Sequence, residues 1–460
     1  MFRQNKSIRL LVLLPALFLL GTSAAFAQSF LRDAEIEQFL EDYSRPLFEA
    51  AGLPAESVGI HLIGDPSLNA FVANGLNMYV FTGLITAAEV PNEIEGVIAH
   101  ETGHMAGGHL QRSDEAIRAA SRPMMLSLVL GTAAIIAGAP DAGIGIISLG
   151  QQVGQANFLS YSRGQESRAD QAAITYLDDV GSSSQGLVDF FRKLRNQQII
   201  TFNQANPYYQ THPLANSRMT ALEARVQESE NLDNVDTEAE IMRLKMIQAK
   251  IHGFLQNSQT TLRQYPLADT SAPARYARAV AYYRGSNLNA GLREIDSLIA
   301  EQPENPFFYE LKGQMLFEHG RIAESVDPHR RSSELAPQYA LLKVNHARAL
   351  VALEREAQMN EAIDILKLAL NMEPDNIFGW TELARAYSAI GRDDLAAFAT
   401  AEAYFNAGVP HEAHRFATRA SKLLNEQTPE WRQANDIIRA TAEDAAKFQR
   451  RNPDPGARRG

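Results

Sequence analysis

Apolar side chains at Ile36, Phe39, Leu40, Tyr43 and Leu47 recur with the spacing of one helix face, which predicts an amphipathic helix over residues 33–52. The period then shortens. Residues 58–63, 70–73 and 76–82 read as short strands, and Asn74-Gly75 between the last two is a hairpin turn because both residue types tolerate positive φ. A helical pattern runs from Arg218 to about Gln227, and another from about Glu238 to Phe254 after an acidic loop at 228–236. The polar stretch from Pro266 to Pro273 marks a domain boundary.

Beyond it the pattern repeats. Pro303, Pro337 and Pro374 recur at intervals of 34 and 37 residues, and Gly285, Gly320 and Gly391 sit at matching turns. This is the period of tetratricopeptide repeats. The best-formed copy places Trp380, Leu383, Ala384, Tyr387, Gly391 and Ala396 as such a repeat requires. Four helix pairs are expected to start near Ala272, Pro306, Ala340 and Ile377, with 409–424 and 430–447 as a capping pair. Such units stack into a curved solenoid whose concave face binds peptides or proteins, unless they serve only to brace the rest of the chain.

The stretch from Pro123 to Gly150 follows neither period. It carries one charge, Asp141, amid Ala, Gly, Leu and Ile, and its first eighteen residues reach the length at which a membrane span must be considered. Gly138-Ala139-Pro140-Asp141-Ala142-Gly143 breaks it, so two short helices joined by a turn are expected. They would form a buried hairpin near the active-site cleft, or an element touching a membrane surface or an unfolded client.

Composition matters most at the ends. Arg3, Lys6 and Arg9, an apolar run from Leu10 to Leu20, and Ala25-Phe26-Ala27 predict a cleavable export signal over 1–27, and hence a periplasmic protein. Its removal takes 43 basic against 54 acidic residues to 40 against 54, a formal charge of about −14. That balance argues against nucleic acid as a partner. There is no cysteine, so the exported chain forgoes disulfides and relies on its cores. The tail 448–460 is basic and rich in Pro and Gly, and disorder is expected there.

The chemistry lies in His100-Glu101-Thr102-Gly103-His104. At about 100° per residue, helix positions i and i+4 lie roughly 40° apart, so both imidazoles can reach one zinc ion while Glu101 beside them takes a proton from the attacking water. A catalytic zinc needs a third protein ligand. His109 is one position short of where an extended motif would put a histidine, and on a continuing helix it would lie about 140° from His104, out of reach of the ion. Glu166 is the better candidate. In Glu166-Ser167-Arg168-Ala169-Asp170 two carboxylates lie one turn apart, so that Glu166 would bind the metal and Asp170 orient a ligand histidine, with small Ser167 and Ala169 letting the two helices approach.

The motif H-E-x-G-H with a histidine five positions later, E-S-x-A-D about sixty residues on, and Thr211-His212-Pro213-Leu214-Ala215-Asn216-Ser217-Arg218 together resemble the metallopeptidase family that includes HtpX and the CAAX prenyl proteases. A signal in front and helical repeats behind are the layout of its periplasmic β-barrel assembly-enhancing members. The resemblance implies a zincin-like α+β peptidase domain, mostly helical with a small sheet, followed by an all-α repeat solenoid. The units would be a signal at 1–27, peptidase at 28–227, helical connector at 228–270, repeats at 271–447 and the tail. It further implies one Zn2+ per chain on His100, His104 and Glu166, with Glu101 as base. Asn69, Ala70 and Phe71 would offer a strand edge to substrate, or else form a covered core strand. His212 would either plug the fourth zinc position or, like Arg218, stabilise the oxyanion. Expected partners are misfolded outer-membrane proteins and the barrel assembly machinery, reached through the repeats. The rival expectation is a chaperone with a mostly latent protease.

Overall fold

Asp33 starts the first helix, α1 (Ala34–Ala50), by accepting the backbone N–H groups of Glu35 and Ile36 at 3.1 and 3.0 Å. In this computed structural model the described residues are 30–109, 124–130, 140–200, 208 and 212–451. The expected export signal, the turn glycine Gly138 and residues 452–460 of the expected tail lie outside them.

Of four strands, β1 (Phe30–Leu31) lies where none was expected, whereas β2 (Gly59–Ile63), β3 (Ala70–Ala73) and β4 (Asn77–Phe81) follow the predicted periodicity. They form one sheet in the order β1-β2-β4-β3, with β2 and β4 parallel and β3 antiparallel to β4. The β3–β4 hairpin turns at Asn74 and Gly75, whose φ angles of 50° and 89° are those the dipeptide was expected to supply. β3 is therefore the outer strand on that side.

A short α2 (Thr82–Ala87) leads into α3 (Pro91–Ala106), which carries the histidine motif and is buried from Pro91 to Met105. Its start has no capping side chain of its own; Asp236, from the acidic loop, accepts the Asn92 N–H at 3.0 Å instead. α4 (Pro140–Asp179) and α5 (Gln185–Ile200) pack against α3, and α6 (Asn216–Val226) packs against α4 and α5. Glycines permit this closeness. A Cβ on Gly103 would lie 2.9 Å from the Ala169 carbonyl oxygen, and one on Gly96 2.7 Å from the Leu187 nitrogen. Ala169 is buried at the crossing as predicted, but Ser167 points to solvent, so Gly103 rather than Ser167 sets the approach.

Two expectations need correction here. The second of the two short helices expected within 123–150 is instead the opening of the 40-residue α4, which continues to the Glu166 and Asp170 positions. Nor are its described parts buried as a hairpin: Met125, Leu126, Val129, Ile144 and Leu149 are 59 to 64% exposed. No helix among the described residues is long and apolar enough to cross a membrane.

The connector helix α7 (Glu238–Leu255) begins at a capping box formed by Thr237 and Glu240, and a short α8 (Ser258–Gln264) follows. Ten further helices complete the chain. They are α9 (Ala272–Arg284), α10 (Leu288–Glu301), α11 (Pro306–Glu318), α12 (Ile322–Leu335), α13 (Ala340–Val351), α14 (Glu356–Met372), α15 (Ile377–Ala389), α16 (Asp393–Asn406), α17 (Pro410–Leu423) and α18 (Pro429–Arg451). Successive helices pack in antiparallel pairs whose apolar faces form a chain of local cores. The first helices of the four pairs begin at the positions the repeat period marks.

Lys250 of α7 pins the two halves together. Its buried ammonium lies 2.7 Å from Asp33, 3.1 Å from Glu35 and 3.8 Å from Glu310 of α11, and Tyr276 of α9 donates its hydroxyl to Glu35 at 2.8 Å.

Candidate metal centre

His100 and His104 lie one turn apart on α3, so their imidazoles leave the same face. Their Nε2 atoms are 3.1 Å apart. Glu166 arrives from α4, with Oε2 3.5 Å from His100 Nε2 and Oε1 3.2 Å from His104 Nε2. His212, from the segment before α6, sets its Nδ1 3.2 Å from both Glu166 oxygens and 3.4 Å from His100 Nε2. Four ligands held about 2.0–2.1 Å from the centre of a tetrahedron stand roughly 3.3 Å from one another. The observed spacings fit that arrangement. The four side chains are buried, and within them two imidazole nitrogens face each other and a carboxylate, a donor set that suits a divalent cation such as zinc.

Asp170, one turn beyond Glu166, places Oδ1 3.0 Å from His100 Nδ1, the nitrogen that faces away from the cluster. That contact fixes the ring's orientation and leaves Nε2 as the ligand atom. Burial by itself would lower His100, but Asp170 and Glu166 outweigh it and push it up to about 9. Glu166 is held far below the usual carboxylate range: burial opposes this, and hydrogen bonds from His100, His104 and His212 prevail. It is an ionised ligand at any working pH.

Glu101 sits beside the cluster, and neither of its buried carboxylate oxygens has a hydrogen-bond partner. Burial raises it to about 7, against the pull of His104 and His100. A carboxylate desolvated to that degree can both accept and return a proton near neutrality. The Nε2 of His212 is 3.4 Å from Glu101 Oε1, so His212 spans the ligand cluster and the base.

Arg218 is spent inside the site rather than aimed into open space. It pairs with both oxygens of Asp170, sets Nη1 2.7 Å from Glu166 Oε2 as an ion pair, and donates to the Pro213 carbonyl at 3.2 Å. The helix that carries it begins at Asn216, so Arg218 lies in its first turn.

His109 departs from its expected position for a related reason. α3 ends at Ala106, and Gly108 turns with φ +60°, so His109 does not continue the α3 helix. His109 Nδ1 then lies 3.0 Å from His104 Nδ1 and supports a ligand from behind, where the helical extrapolation had put it out of range.

Sequence reasoning missed two aromatic supports. Tyr208 stacks on His212 at 4.5 Å between ring centroids, and its carbonyl accepts the His212 N–H at 2.7 Å. Phe191 of α5 lies under the Arg218 guanidinium at 5.0 Å and meets the His100 ring edge-on. Neither belongs to a local motif, so only the folded chain shows them.

The remaining candidates lie on β3 and just before it, and β3 packs against α3. Asn69 and Ala70 are buried, whereas Phe71 faces outward and stacks on Tyr79 at 4.8 Å. What β3 can offer to another chain is therefore its backbone edge and the Phe71 ring.

With that geometry in place, residues 31–226 match the profile of peptidase family M48. The chain is 24% identical over 406 residues to a putative β-barrel assembly-enhancing protease of Vibrio cholerae serotype O1, covering 86% of this chain and 82% of that one. It is 24% identical over 425 residues to the β-barrel assembly-enhancing protease of Yersinia pestis, covering 91% and 86%. It is also 28% identical over 190 residues to the metalloprotease LoiP of Escherichia coli K12, covering 37% of this chain and 68% of that one.

Proposed function

We propose, from the premise that residues 31–226 of this metallopeptidase are a peptidase family M48 domain, that the chain is a periplasmic zinc endopeptidase acting on misfolded or stalled outer-membrane proteins. The observation that carries the reading is the convergence of His100, His104 and Glu166 beside an unpartnered, buried Glu101. A zinc ion held there would polarise the peptide carbonyl and lower the pKa of a water toward 7. Glu101 takes the proton of the attacking water and returns it to the leaving amine. Asp170 holds His100, Arg218 holds Asp170 and Glu166, and the free edge of β3 pairs with substrate in extended form through Asn69, Ala70 and Phe71.

His212 is the resting-state plug. Its Nδ1 occupies the fourth corner of the ligand set, and Tyr208 clamps its ring in that place, which supports latency over an oxyanion role. Latency keeps a broad peptidase compatible with folded neighbours. The repeats supply the client or dock to the barrel assembly machinery, and the exposed apolar residues of 124–130 and 144–153 are a surface for peripheral membrane or client contact.

A chaperone with a rarely used protease is the competing reading, favoured by the same plug. Maturation of a barrel client in cells carrying Glu101→Gln separates the two. Loss of turnover of stalled client supports the peptidase; full function of the variant supports the chaperone.

A further inference from the structure

A cavity of about 350 Å³ opens where β1, α7 and the first repeats meet. That size suits one or two side chains of a ligand. Leu31 and Leu62 from the peptidase domain, Phe254 and Leu255 from the connector, and Phe317 and Leu341 from the repeats make its apolar wall. Most of its charged lining is already matched. Arg32 pairs with Glu37 and Glu373, Lys250 with Asp33 and Glu35, and Glu310 accepts from Asn345 Nδ2 at 3.2 Å.

Arg348 of α13 is the exception. Its guanidinium carbon lies 4.2 Å from the centroid of Phe317 and 5.3 Å from that of Phe378, rings contributed by α11 and α15, and no carboxylate among the described residues pairs with it. The neighbouring His329 is buried and pushed down to about 3 by desolvation, so it stays neutral and adds no second positive charge beside Arg348. Ring stacking covers the faces of a guanidinium and leaves its N–H edge to bind, and a planar carboxylate is the matching acceptor.

We propose that this cavity captures the C-terminus of an unfolded polypeptide, the free α-carboxylate on Arg348 and an apolar last side chain against the wall. A chain end fits better than a passing segment because peptidase, connector and repeats close the space on three sides. The inference rests on the reading of the repeats as the client-binding part and specifies what they recognise.

Fluorescence anisotropy on the full-length protein tests it, with a labelled octapeptide ending in Val-Leu-Phe as the free acid, as the carboxamide, and as the carboxamide with an internal Asp. The free acid is expected to bind roughly tenfold or more tightly than either carboxamide. Arg348→Ala and Arg348→Gln should abolish that difference while bound zinc and melting temperature stay at the wild-type values. Equal binding of acid and carboxamide by the wild type overturns the proposal without recourse to any variant. Equal binding of the internal-Asp peptide overturns the assignment to a chain end. If the acid preference holds while no metal-dependent cleavage is found, the peptidase reading fails and this one stands.

Discussion

Glu166 receives His100, His104, His212 and Arg218 at once, so its loss removes a ligand and leaves a buried guanidinium partly unpaired. Glu166→Ala is expected to bind metal far more weakly than the wild type. Asp170→Ala, which frees the His100 ring and leaves the Arg218 guanidinium only Glu166 and the Pro213 carbonyl, should cost roughly 10- to 100-fold in affinity. His109→Ala should cost less still, because an imidazole behind His104 polarises it less than a carboxylate does. Zinc titration of the three variants gives the order directly, and equal losses from His109→Ala and Glu166→Ala would show the third ligand to be misassigned. His212→Ala carries the test of latency. As a plug, its removal should raise basal cleavage of an unfolded substrate with metal retained; a drop of roughly 10²- to 10³-fold at full occupancy would make it an oxyanion stabiliser instead. The motif residues were legible because fixed helical spacing converts directly into shared faces. Tyr208 and Phe191 were not, because aromatic contacts between distant segments leave no spacing to read.

The crossing of α3 and α4 decides whether the ligands can meet. Gly103 stands at that crossing, and Gly103→Ala would drive a methyl carbon to 2.9 Å from the Ala169 carbonyl oxygen and 3.0 Å from its Cα. Backbone must then move, at about 1–3 kcal/mol by the usual penalty for overpacking. A lower melting temperature together with weakened zinc binding is expected; unchanged values for both would mean that the close approach does not set the site. Elements with a clear apolar period were readable from sequence, as α1, α7 and the repeat helices show. α4 was not, because its glycine-rich opening has no polar face to mark it as helix and the break at Gly138–Gly143 suggested two pieces. The end of α3 was misjudged for the opposite reason: two adjacent glycines allow either continuation or a turn, and the turn is what brings His109 to His104.

Across the whole molecule, the peptidase domain and the repeats meet at Lys250, ringed by Asp33, Glu35 and Glu310. Repeat period and domain order could be read from the chain, but this junction could not, since its members lie up to 277 positions apart in sequence. Burial raises Glu310 to about 7, against the attraction of Lys250. Its carboxyl thus binds its proton more tightly folded than unfolded, so the folded state gains from Glu310 below the unfolded pKa and loses that gain as pH rises toward and through 7. Glu310→Gln should therefore melt near the wild type at pH 5 and above it at pH 8; the same melting difference at both values would remove Glu310 from the account of the junction.

Glu101→Gln, assayed for bound zinc and for casein cleavage beside the wild type before and after chelation, tests the central claim most directly. The account predicts that the variant keeps about one zinc per chain and loses cleavage by several orders of magnitude. The wild type should lose cleavage on chelation and regain it with zinc. Near-normal turnover by the variant, or wild-type cleavage indifferent to chelation, would contradict it.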